Sequence, residues 1–105
     1  MIRIVVTKKN DQYLSFRCSG HAEYADSGKD IVCSAVSILV INTINAIEQF
    51  TDTAFTLNAE EAIEWHFPEG IDHDTQLLMD ALLLGLTEIK KQYGKKYLNL
   101  LFEEV

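Results

Sequence analysis

His21 and Cys33 are the two residues of this 105-residue chain best placed to do chemistry together. A short polar segment separates them, opened by Gly20 and crossed by Gly28, and it runs into a long apolar stretch that begins at Ile31. A cysteine thiolate is a nucleophile, and a histidine beside it can take the thiol proton and later return it to a leaving group. Asp30 is a good N-cap, which puts Cys33 near the third helical position. There the backbone N–H groups are unpaired and the helix dipole is positive, and both favour the thiolate. The spacing therefore reads as a cysteine-protease dyad. Its competitor is a packed cysteine, the common fate of a free thiol, beside a turn histidine.

The surrounding residues offer supporting roles. Asp30 either caps the helix or orients His21, as the third member of a triad would. Ser37 lies one helical turn after Cys33 and shares its face. First-turn N–H groups, that of Cys33 included, are natural oxyanion donors. Gly20 and Gly28 are hinge candidates. The segment 22–29, from Ala22 through Gly28, has little to bury and is expected to gate the site. Cys18, His21 and Cys33 are the only group with metal-ligand chemistry. No Cys-x-x-Cys occurs and structural zinc takes four ligands, so neither metal nor cofactor is expected.

The elements that must hold these residues follow from periodicity. Ile2, Ile4 and Val6 alternate with polar or outward positions, as do Leu14, Phe16 and Cys18, and Asn10-Asp11 marks a turn between them. Cys18 is thereby placed in the core with Leu14 and Phe16. A helix is expected over 31–50, apolar on nearly every side, more than one sheet can cover. Phe55 and Leu57, then Ile63, Trp65 and Phe67, suggest two short strands, with His66 turned outward beside Glu64. A second helix is expected over 75–93, capped within 72–74 and stopped by Gly94, then a strand over 97–102. The order is β-β-α-β-β-α-β. The fold class is α+β, a mainly antiparallel sheet with two helices packed on it, in a single domain spanning 1–105.

Composition narrows the function classes. The formal net charge is −7, which argues against phosphate backbones and for a basic partner. The apolar start at 1–6 is too short for a signal peptide, and no uninterrupted apolar run of membrane-spanning length is expected. Two cysteines in a chain with ordinary apolar content suggest a reducing cytoplasm.

The window Gly20-His21, a loop, then Gly28-x-Asp30-Ile31-Val32-Cys33-Ser34-Ala35-Val36-Ser37 resembles the ribosomal-processing cysteine protease family. Length and element order agree over the whole chain. The resemblance implies a bacterial cytoplasmic endopeptidase. Its substrate is the short N-terminal extension of large-subunit ribosomal protein twenty-seven, cut after an aromatic residue during ribosome assembly. It implies His21 and Cys33 as the catalytic pair, and a homodimer, which suits the over-apolar first helix. The alternative is a non-catalytic ribosome-assembly binding protein with a packed cysteine.

Overall fold

Strict alternation builds the centre of the sheet. In β1 (Ile2–Lys9) the side chains of Ile2, Ile4 and Val6 are buried while Arg3 is exposed. β2 (Gln12–Ser19) returns antiparallel across Asn10 and Asp11, both in the left-handed region at φ 52° and 65°, the conformation of a tight hairpin turn. The computed structural model describes residues 1–20, 27–94 and 96–105. Its further elements are α1 (Ser27–Phe50), β3 (Thr56–Asn58), β4 (Ile63–His66), α2 (His73–Tyr93) and β5 (Leu98–Glu104). The strands form one sheet in the order β3-β4-β2-β1-β5. Every pairing is antiparallel except β1 with β5, which runs parallel. The expected fold class and element order are those found.

One sheet face is apolar and carries both helices. Ile2, Ile4, Val6, Phe16, Trp65 and Leu98 share a single buried cluster with Val32, Val36, Val40, Ile44 and Ile47 of α1 and with Met79, Leu82 and Leu86 of α2. Phe16 and Trp65, cross-strand partners, stack with ring centroids 4.5 Å apart. Such a pair adds about 0.5–1.5 kcal/mol beyond its burial. The helices approach closely: a Cβ on Gly85 would lie 2.9 Å from Cδ1 of Leu39, so that position tolerates a helix-weakening glycine. The opposite face is mixed, carrying Val5 and the exposed Leu101 as well as Arg17, which reaches Glu64 at 3.4 Å.

A bulge corrects one register expectation. Pairing shifts between Thr7 and Lys8, so Tyr13, not Leu14, turns into the core with Phe16. A bulge inserts a residue and reverses the alternation beyond it. Tyr13 then donates its hydroxyl to Asp80 on α2 at 2.6 Å, and Lys8 lies over its ring.

The helix ends separate what was foreseen from what was not. Asp72 caps α2, its carboxylate accepting from the Thr75 N–H at 2.7 Å, and that bond holds its pKa below the usual carboxylate value. Gly94 closes the same helix at φ 93°, its N–H donating to the Lys90 carbonyl. α1, in contrast, begins at Ser27 rather than 31. Asp30 is therefore the fourth helical residue and not the N-cap, and Gly28 belongs to the helix and not to a loop. An aspartate in a first turn is favoured there by the positive end of the helix dipole.

The apolar span of α1 is also longer than expected. Ile31–Phe50 is long and apolar enough, by length and composition, to cross a membrane, with 33% of it buried. Glu48 is its only charged residue. The buried third is the stripe from Val32 to Ile47 that covers the sheet.

Candidate active site

Cys33 sits on the sheet-facing side of α1. It follows Val32 and precedes Val36 by one turn, both almost fully buried, and its own side chain is half-buried against the same cluster. It is the seventh residue of the helix, not the third. Helical geometry commits its N–H to the carbonyl of Lys29, so that N–H is no oxyanion donor. The N–H groups outside the intrahelical ladder belong one turn earlier, to Ser27, Gly28 and Lys29. The dipole effect fades within the first turn, so it reaches Cys33 weakly.

Cys18, the other cysteine, is on the sheet. It lies on the helix-bearing face of β2, in register with Ile4 on one side and Ile63 on the other, and packs on the same cluster. Burial, and secondarily the charge of Cys33, push its thiol up to about 11. Cys18 is thus a protonated thiol near neutrality, and neither cysteine is in a disulfide. Its packing on the cluster that holds Phe16 agrees with the sequence expectation.

Gly20 has a strict requirement at this end of the sheet. Its φ is +78°, and a Cβ there would run into the carbonyl of Met1. Arg3 pairs with Ser19, which brings the start of β1 alongside the residue that precedes His21. Only glycine satisfies both the left-handed backbone and the close approach. His21 and Ala22, like the rest of 21–26, lie outside the described residues, so the expected gating segment is seen only where it has become helix. Ser37 lies on α1 one turn beyond Cys33 and is exposed, as is Ser34.

The other two histidines are placed elsewhere. His66 projects from the polar face of β4, opposite the helices, 3.8 Å from Glu64. His73 is exposed at the start of α2, 3.6 Å from Asp74. Neither shares the helix-covered face with Cys33.

The profile of the cysteine protease Prp family matches residues 1–98. The chain belongs to that family. The Prp of Bacillus subtilis, a ribosomal processing cysteine protease, is 30% identical over 101 residues, covering 89% of this chain and 90% of that protein. Among solved structures, SMU.848 from Streptococcus mutans superposes with a TM-score of 0.89 at 28% identity, over 100% of this chain and 96% of the other. The Prp of Staphylococcus aureus, in complex with a covalently linked product peptide, shares the fold at a TM-score of 0.84 and 23% identity, over 98% of this chain and all of the other. This chain is, like its Prp relatives, a cysteine protease. The Prp identity decides between the two function classes that the sequence left open, in favour of the enzyme.

Proposed function

We propose that this protease removes the N-terminal extension of large-subunit ribosomal protein twenty-seven, cutting after an aromatic residue, with Cys33 as nucleophile and His21 as general base and acid. The observation that carries this reading is Cys33 itself. It is a half-buried thiol on a helix whose preceding segment bears Gly20-His21, in a chain matched by the Prp profile over residues 1–98. The Cys33 sulfur attacks the scissile carbonyl while His21 takes its proton. His21 then protonates the leaving amine, and water hydrolyses the acyl-enzyme. The N–H groups of Ser27, Gly28 and Lys29 are the candidate oxyanion donors, and Ala22 with its neighbours the candidate gate. Asp30, in the second half of the first turn, remains a candidate for orienting His21.

The acidic balance of −7 favours encounter with a basic ribosomal protein, which also supports a cytoplasmic place of work. Incubation of the protein with a synthetic extension peptide, followed by mass spectrometry, tests the reading. Two fragments divided after the aromatic residue are expected; an intact peptide at enzyme excess refutes the substrate.

The protease is further proposed to act as a homodimer. Away from the sheet, α1 exposes Ile31, Ile38, Ile41 and Phe50, and α2 exposes Leu77 and Leu84. Ile31 and Ile38, like Leu77 and Leu84, are seven apart and so align along their helices. An apolar surface of this kind marks an interface. Light scattering at micromolar concentration should return about twice the 11.9 kDa chain mass, and Ile38→Glu should shift it towards the monomer. A wild-type monomer removes the claim.

A further inference from the structure

β5 is the last strand on its side of the sheet, and its outer edge has no partner strand among the described residues. On its inner side it pairs with β1 throughout, from Leu98 against Ile2 to Glu104 against Lys8. The Val105 N–H donates to the Lys8 carbonyl, and the Tyr97 carbonyl accepts from the Ile2 N–H. Odd-numbered residues of β5 therefore turn their backbone groups inward. Those of Leu100, Phe102 and Glu104 point out of the sheet, because the two directions alternate along a strand. Leu98 is fully buried, so the open edge begins at Leu100. Proteins blunt such an edge with charge, proline or a bulge. Here the charges stand only at the ends, Lys96 before the strand and Glu103 and Glu104 at its close. Between them Leu101 and Phe102 are half-exposed, Leu101 on the far face in register with Val5 and Phe102 on the helix-bearing face in register with Val6.

We propose that β5 is a self-recognition edge, at which two copies of this chain pair antiparallel about Leu101 and join their five-stranded sheets into one continuous sheet. The charge pattern selects this occupant and this direction. In that register Leu101 meets the partner's Leu101, and Leu100 meets the partner's Phe102. The outward backbone groups of Leu100 and Phe102 then bond the same groups of the second copy. Glu103 stands opposite the partner's Asn99, and each pair of glutamates lies toward the partner's Lys96. No like charges are opposed, whereas a parallel pairing, or one centred on Glu103, would set glutamate against glutamate. The contact uses the sheet edge and not the helix faces assigned above to the homodimer. Two distinct two-fold contacts on one chain link pairs into larger assemblies. A single strand edge is a small contact, so this one forms in concentrated solution rather than at micromolar protein.

Cysteine cross-linking of the full chain reads both the contact and its register. Opposed residues whose backbone groups turn away from the new neighbour come within about 4.5 Å at their Cα atoms, a distance a disulfide spans. Leu101→Cys, mildly oxidised at high protein concentration, should give a covalent dimer whose digest links 101 to 101. Asn99→Cys alone and Glu103→Cys alone should form no such link, and the two mixed should link 99 to 103. Adding Ile38→Glu to Leu101→Cys should leave the link in place, which separates this edge from the helix-face dimer. The light-scattering mass of wild type should rise as the protein is concentrated above micromolar. Leu101→Lys, which sets like charges together at the two-fold axis, should hold its micromolar mass, with unchanged circular dichroism and peptide cleavage. Absence of the 101–101 link, its loss on adding Ile38→Glu, or equal linking by all three single cysteine variants overturns the proposal. So does a Leu101→Lys mass that rises with concentration as that of wild type does.

Discussion

Cys33→Ala should reduce cleavage of the extension peptide by on the order of 10⁶-fold while leaving the far-ultraviolet circular dichroism unchanged. Loss of a protease nucleophile costs on the order of 10⁶-fold in kcat, because no acyl-enzyme forms and only the oxyanion donors and binding remain to assist water. The fold should tolerate the change. Val32 and Val36, not Cys33, are the nearly inaccessible residues of this part of α1, and Cys33 keeps one side open. Removing its sulfur should lower stability by about 1 kcal/mol, a modest core truncation. Peptide binding should survive, since the substrate's contacts outside the reacting carbon are untouched. Cleavage by the folded variant at even a hundredth of the wild-type rate would assign the chemistry to another residue. Iodoacetamide offers an independent reading on wild type. It should label Cys33 well ahead of Cys18, whose thiol burial keeps protonated.

Why the fold was legible while parts of the site were not is visible in particular residues. Ile2, Ile4 and Val6 declare a strand with one wet face, and nothing in the tertiary structure competes with that alternation. Asp72 and Gly94 bracket α2 because a carboxylate cap and a left-handed stop each follow from local backbone chemistry. The bulge at Thr7 and Lys8 has no such local signature. It arises where two strands must bend, and it exchanges Leu14 for Tyr13 in the core so that the phenol can reach Asp80. The start of α1 misled for a related reason. Asp30 is a strong cap by propensity, yet the helix extends one turn further, to Ser27. Propensity is a weak prior, and the register of the buried stripe from Val32 onward is equally satisfied by either start.

The position of Cys33 changes what its histidine must do. In a first turn, unpaired N–H groups and the dipole would help to hold a thiolate before any partner arrived. As the seventh helical residue, Cys33 has its own N–H in the ladder and lies beyond the first turn, so proton removal falls to a side chain. His66 is on the far face of the sheet and His73 is exposed beside Asp74, so neither described histidine is placed to serve, and the proposed base is His21. Gly20, which precedes it in sequence, has a left-handed backbone and lies against the Met1 carbonyl, so that position allows no side chain. His21→Ala should therefore lower kcat/KM by on the order of 10²-fold or more, the usual scale for positioned proton transfer. The loss should fall on kcat more than on KM, because the imidazole acts on the reacting atoms. The pH profile should change with it. Wild type should show an acid limb where the histidine must give up its proton before it can accept another, and the variant should lack that limb. Alkylation of Cys33 near pH 7 should slow in the same variant, since the thiol has lost its proton acceptor. His21→Gln, which keeps a polar side chain of similar reach but no titratable nitrogen, should behave like His21→Ala if proton transfer is the role. Wild-type rates in His21→Gln together with a loss in His21→Ala would instead make His21 a positioning residue, and wild-type rates in both would make it a turn residue only.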